Sequence, residues 1–258
     1  MAVLTFLGTG TSGGIPEIGC SCPACSSTDS RDKRTRTSAY LTYKKQHILI
    51  DAATDLREQF LREHISKVDH LFLTHAHADH CLGLDDLRAV SFIQQKPIKI
   101  YVKKHHLTEL HKRFYYIFNE PLQRGGGIVK TETVTITDKI FYPGGLAVTP
   151  LKVWHGKLEI TGFCFNDKFT YISDASDLPR ETLAKISNTR TLVLNALRHR
   201  PHATHLCLKQ SLALIKKINP KRAYLIHMCH DILHARDSKS LPANVFFAYD
   251  GLKLKIDI

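Results

Sequence analysis

The densest concentration of potential chemistry in the 258-residue chain is His75-Ala76-His77-Ala78-Asp79-His80, which directly follows the short apolar run Leu71-Phe72-Leu73-Thr74. A run of that length ending in a turn reads as a buried strand, so these donors emerge at the strand end where α/β proteins build their sites. Along an extended loop, His75 and His77 share one side while Asp79 and His80 point elsewhere, so the four donors could serve two metal ions. Two divalent ions held ~3.5–4 Å apart clamp an attacking hydroxide and the oxygens of a substrate, which makes hydrolysis the natural reaction class. The chain has no Gly-x-Ser-x-Gly elbow, consistent with a reaction that needs no side-chain nucleophile. The alternative is a polar loop with chance histidines, of which the chain has 16.

A second cluster precedes it. Cys20-Ser21-Cys22-Pro23-Ala24-Cys25 places three thiols on a loop that also carries Pro16 and Gly19. Thiolates at this spacing can take three corners of a zinc tetrahedron, so the sequence predicts a structural zinc in a knuckle over residues 16–37. The fourth ligand must come from afar. His230, three residues after His227, is the candidate because it can turn away from the other histidines. Three free cysteines in a loop are the alternative.

The elements that position these groups follow from periodicity and punctuation. Val3–Leu7 reads as a strand entering the glycine-rich Gly8–Gly14, which lacks the Lys-Ser/Thr of a phosphate loop and reads as a tight turn packed under the metal site. The charged stretch Asp29–Thr37 reads as a solvated loop or an anion-binding rim. Residues 38–43 and 47–51 form a hairpin, Thr54–Ile65 and Gly83–Phe92 are helices, and Pro97–Val102 is a strand. Lys103–Phe118 reads as one basic, aromatic helix running into Pro121 and Gly125-Gly126-Gly127, a candidate lid. Further strands are expected over 131–137, 146–153, 161–165, 169–173 and 192–194, with helices over 179–186 and 205–218. Val245–Ile256 is expected to close the chain as a hairpin around Asp250-Gly251.

The His-x-His-x-Asp-His stretch resembles the signature of the metallo-β-lactamase superfamily, and the resemblance extends across nearly the whole chain. That superfamily carries further ligands at later strand ends, and His155, Asp174 and His227 each stand after a predicted strand. The resemblance implies that His75, His77 and His155 hold one ion, that Asp79, His80 and His227 hold the other, and that Asp174 bridges them. It also implies an αββα sandwich of two mixed β-sheets flanked by helices, as one domain over residues 1–258. Asp51 matches an early strand-end aspartate that supports the metal loop. Gly8-Thr9-Gly10-Thr11-Ser12, the cysteine knuckle, Pro201–His205, Leu225–Asp231 and Tyr249–Leu252 resemble the PhnP-type cyclic phosphodiesterases, with a departure around residues 195–204. His205 resembles the late, non-ligand histidine that protonates the leaving group in related phosphodiesterases, whereas His199 and His202 match less well.

The function expected is therefore a dinuclear hydrolase, zinc- or manganese-dependent, acting on a cyclic or small phosphodiester, with His205 and Asp79 in the catalytic machinery. A nuclease of the transfer-RNA 3′-processing type would need a protruding basic arm, for which residues 103–127 are the only candidate, and that stretch is short. A thioester or lactone hydrolase of the glyoxalase type would carry an added helical domain. A non-catalytic scaffold with one zinc is the remaining rival. A net charge of +12 fits an anionic partner, nucleic acid being possible but not favoured, or a coat of lysine and arginine on exposed helices. Arg88 reads as a surface ion pair or a phosphate contact, and the aromatics of 103–118 as core or as a subunit interface, which leaves a homodimer open. No apolar run approaches the ~20 residues that span a bilayer. Seven cysteines without a disulfide spacing fit a reducing, cytoplasmic setting.

Overall fold

The computed structural model describes residues 2–119 and 127–258. Its elements in chain order begin with β1 (Ala2–Gly8), β2 (Ser38–Tyr43), β3 (Gln46–Ile50), α1 (Leu56–Glu63), β4 (His70–Phe72) and α2 (Ala78–Cys81). Then come α3 (Leu87–Gln94), β5 (Ile98–Val102), α4 (Lys104–Arg113), α5 (Tyr115–Phe118) and β6 (Thr131–Thr135). β7 (Val148–His155), β8 (Leu158–Phe165), β9 (Phe169–Ile172), α6 (Arg180–Lys185) and β10 (Thr191–Asn195) follow. The last are α7 (Leu208–Ile218), β11 (Arg222–Ile226), α8 (His234–Asp237), β12 (Val245–Phe247) and β13 (Lys253–Ile256).

Seven strands form one sheet in the order β13-β1-β2-β3-β4-β5-β6, and six form the other in the order β12-β11-β10-β9-β8-β7. Both are mixed: β1 to β3 pair antiparallel and β3 to β6 parallel, while β7 to β9 pair antiparallel and β9 to β12 parallel. Period-two alternation builds the layers. In β4 Phe72 joins the apolar layer between the sheets, with Phe163, Phe165 and Tyr171 of the other sheet, while Leu71 packs outward with Leu56, Leu87 and Leu110 of the helices. In β10 Val193 faces inward, and Leu192 and Leu194 pack outward with Ile215 of α7. This is the αββα sandwich that the resemblance implies.

Four local expectations need correction. Lys103–Phe118 is two helices, broken at Phe114 (φ −118°, ψ 45°), whose ring is buried against the outer face of the first sheet. Burial of that one ring overrides the helical run. Val245–Ile256 is not a hairpin, because β12 pairs with β11 in one sheet and β13 with β1 in the other. The Asp250-Gly251 turn instead carries the chain between sheets, held where Thr9 and Thr35 donate to the Asp250 carboxylate and Gly251 adopts φ +87°. His205 does not begin a helix, since α7 starts at Leu208 behind Cys207. Asp32 and Arg34, in the stretch read as a solvated loop or an anion-binding rim, are fully buried and joined at 2.8 Å, with Arg34 Nη1 also donating to Ile232 O. The glycine-rich lid expected at 121–127 lies almost wholly outside the described residues. Arg88 meets Gly127 O and Asp85, in agreement with a surface role.

Phe72 is the pivot of the inner layer, with ring centroids at 5.0 Å from Tyr101, 5.1 Å from Phe163 and 5.5 Å from Phe141. Phe72→Ala is expected to cost ~3–5 kcal/mol of stability. Urea unfolding would show a lower midpoint at an unchanged slope.

Candidate metal centre

The donors gather at the C-terminal ends of four strands. His75 and His77 follow β4, His155 is the last residue of β7, Asp174 stands two beyond β9, and His227 follows β11 directly. Asp79 and His80 reach the site differently from the alternation expected of an extended loop, because they sit on the single helical turn of α2. Asp51, Asp174 and His227 all adopt left-handed backbone, with φ of 60°, 54° and 55°. Such strain costs of order 1–3 kcal/mol each and persists where a site demands it. Here it turns three side chains inward at strand ends.

Two donor sets result. In the first, His75, His77 and His155 bring ligand atoms within 4.8 Å of one another, and in the second Asp79, His80, Asp174 and His227 do the same. Asp174 lies between them: Oδ2 is 3.2 Å from His80 Nε2 and 3.9 Å from His75 Nε2, and Oδ1 is 3.2 Å from His227 Nδ1. His205 approaches the same carboxylate at 3.5 Å and stacks on His227. All the side chains expected at the centre, with Asp79, are thus brought together.

The groups behind the donors orient them. His155 Nδ1 donates to Thr204 O at 2.7 Å, which leaves Nε2 as its free donor atom. His80 Nδ1 is held by Asp51 Oδ2 at 2.7 Å, and Asp51 in turn accepts from the backbone and hydroxyl of Thr74. The Thr74 hydroxyl also meets His75 Nδ1 at 2.9 Å. Thr37, at the end of the charged stretch, donates to Gly10 O and sits 3.0 Å from His227 Nδ1, and Thr11 of the glycine-rich turn is 3.3 Å from Nε2. The turn therefore packs against a donor as expected. Thr37 was missed, because its only sequence signal is its place before a strand.

Electrostatics make the cluster a sink for cations. Burial pushes His75 well below the usual imidazole range and His227 down to about 4, so both stand neutral with lone pairs available. Burial opposes charge at His80 as well, but Asp174, Asp79 and Asp51 outweigh it and drive that imidazole well above its usual range. Burial also resists ionisation of Asp79, yet His80 holds its carboxyl at about 2. Among the described residues, His80 Nε2, Asp174 Oδ1 and His205 Nε2 are buried without a hydrogen-bond partner. Unpaired nitrogen and oxygen atoms converging at ligand spacing fit divalent ions.

The knuckle also assembles. Cys20, Cys22, Cys25 and His230 place ligand atoms within 4.8 Å of one another, with His230 Nδ1 at 3.3 Å from Cys20 Sγ and 3.8 Å from Cys25 Sγ. A zinc–sulfur bond of ~2.3 Å implies tetrahedral edges near ~3.8 Å, so the spacing suits zinc.

The comparisons with known proteins agree with this geometry. The profile of the family described as beta-lactamase superfamily domain matches residues 46–228, most of the chain. The chain belongs to the metallo-β-lactamase superfamily. The histidine and aspartate clusters are its metal-binding groups. Within the superfamily it is similar to the crystal structure of a diphosphatase from the PhnP family, with 37% identity and a TM-score of 0.93, covering 100% of this chain and 99% of the other. An octanoyltransferase of Porphyromonas gingivalis (strain ATCC BAA-308 / W83) is 36% identical over 255 residues, 98% of this chain. The chain spans about half of that relative, 51% of its length. Zinc-bound PqqB from Methylobacterium extorquens, 21% identical at a TM-score of 0.79 over 99% of this chain and 100% of its own, shares the fold of this chain.

Because structural zinc couples to folding, Cys22→Ser is expected to lower thermal stability more than it lowers the turnover of the folded fraction. His230→Ala should behave likewise. Loss of an ion from the histidine sets in His230→Ala, measured by metal analysis, would count against its place in the knuckle.

Proposed function

We propose that this member of the superfamily hydrolyses a small or cyclic phosphodiester, acting as a single hydrolase unit with two zinc or manganese ions at the strand-end site and one structural zinc at the knuckle. The observation that carries this reading is the buried, unpartnered Nε2 of His205, 3.5 Å from Asp174 and beside both donor sets. A phosphodiester expels an alkoxide that needs a proton, whereas the thiolate of a thioester can leave without one and offers less use for a histidine there. The diphosphatase described for the 37%-identical relative supports phosphorus as the reacting centre. The name octanoyltransferase belongs to a protein about twice as long, with 51% of it matched here, and supports acyl chemistry for this chain only weakly.

When bound, the ions supply Lewis acidity and a water acidic enough to ionise near neutral pH. The chain's residues do the rest. His75, His77 and His155 would hold one ion and Asp79, His80 and His227 the other, with Asp174 spanning both. Asp51, Thr74 and the Thr204 carbonyl fix the imidazoles so that their free nitrogens face inward. Asp79 sits beside His80 as a carboxylate, ready to orient a nucleophilic water. His205 holds a proton at Nε2 for the departing oxygen.

The decisive experiment is a turnover screen of metal-loaded protein against cyclic, linear and diphosphate esters, a transfer-RNA precursor and an octanoyl thioester. The highest kcat/KM is expected on a small phosphate ester. A maximum on the transfer RNA or the thioester would overturn the proposal. A reducing, cytoplasmic setting remains the expectation for this chain.

A further inference from the structure

The basic, aromatic segment that follows β5 has no part in the donor sets, yet it touches the metal loop. Arg113, at the last turn of α4, donates through Nη1 to Ala76 O at 2.5 Å and lies 3.3 Å from Cys81 Sγ. Both contacts matter by their position. Ala76 stands between His75 and His77, and Cys81 follows His80 and closes α2, so the two atoms mark the ends of the turn in which extended loop becomes helix. The Cys81 thiol itself reaches back to Ala76 O at 3.6 Å, and both residues are buried. His75 and His77 belong to one donor set and Asp79 and His80 to the other. A guanidinium that joins Ala76 to Cys81 therefore fixes the angle between the two halves of the loop, and so the relation of one set to the other.

The anchor for this contact lies within the same segment. Phe114, the next residue, is buried against the first sheet and breaks the helix there, so the end of α4 cannot slide along the loop. Arginine suits the task because it stays charged and presents several donors in a rigid fork. We infer that Arg113 is a positioning residue of the metal centre, holding the His75–His80 loop in its two-ion geometry from outside the donor sets. This goes beyond the phosphodiester proposal and does not depend on which bond is cleaved.

The test uses the full chain and needs no substrate. Metal-free protein is titrated with Co²⁺, whose thiolate charge-transfer band reports the cysteine knuckle and whose d–d bands, once the knuckle's own d–d contribution is subtracted in proportion to that band, report the histidine and aspartate sets. Groups that orient metal ligands are worth ~10–100-fold in affinity when removed. In Arg113→Met the d–d bands should saturate at ~10–100-fold higher Co²⁺, while the charge-transfer band titrates as in the parent protein. Arg113→Lys, which keeps one donor for Ala76 O, should fall between. Lys112→Met is the control: it removes the same charge one residue away, from a side chain paired with Glu109 on the helix surface. Equal titrations of Arg113→Met and Lys112→Met would overturn the inference, as would a parallel weakening of the knuckle band, which marks general destabilisation. If Arg113→Met fails to fold, Arg113→Lys against Lys112→Met decides the matter by the same bands.

Discussion

Asp174→Ala is expected to lose hydrolytic activity by more than the ~100-fold that a group merely orienting a metal ligand contributes, while the knuckle keeps its ion. The carboxylate has no substitute. It approaches His75, His80, His205 and His227 from the gap between the two donor sets, and the surrounding imidazoles hold its carboxyl well below the usual carboxylate range despite its burial. Without it each set keeps histidines, but nothing spans them. Removing a buried carboxylate also leaves His80 in a buried site with less negative charge around it, which lowers its affinity for a proton as well as for a metal. Metal analysis should fall from the proposed three ions per chain toward the knuckle ion plus a weakly held remainder. Asp174→Asn, which preserves shape while removing charge, separates loss of ligation from loss of packing. A rate like that of the parent in either variant would overturn the bridging role.

Much of this site is legible in the sequence. The cluster at 75–80 and the strand ends before His155, Asp174 and His227 are local signals: an apolar run, a turn, a donor. The knuckle is local too, apart from His230, which its offset from His227 identifies. What escaped was set by contacts distant in the chain. Arg34 reads as solvated because its run is charged, yet Asp32 and the Ile232 carbonyl enclose it completely. Phe114 reads as helical until a sheet offers its ring a place. Asp250-Gly251 reads as a hairpin because the turn chemistry is right, and only the pairing of β12 with β11 and of β13 with β1 shows that its flanks enter different sheets. Asp79 and His80 carry the same residue types in a loop or a helix, and the choice of helix decides how they meet His227. The donors were thus readable by type, and their orientation was not.

That distinction bears most directly on His205, whose type suggests acid catalysis and whose surroundings give the suggestion its geometry. Thr204 ties the neighbourhood together: its carbonyl accepts from His155 Nδ1, and its hydroxyl lies 3.0 Å from His205 Nδ1. The imidazole is thereby held at Nδ1, with Nε2 buried, unpartnered and close to Asp174. Two roles suit such a nitrogen, because His155, Asp174 and His205 also bring ligand atoms within 4.8 Å of one another and could hold a metal. A ligand role predicts that His205→Ala lowers metal content and slows all substrates alike. A general acid predicts intact metal content and a loss that grows with the basicity of the leaving group, ~10²–10⁴-fold for an alkyl phosphodiester and much less for a p-nitrophenyl ester, whose departing oxygen needs little protonation. The expected result is the second pattern. Measuring kcat for both esters alongside metal analysis separates the two roles, and equal losses with metal retained would assign His205 to binding phosphate rather than to moving a proton.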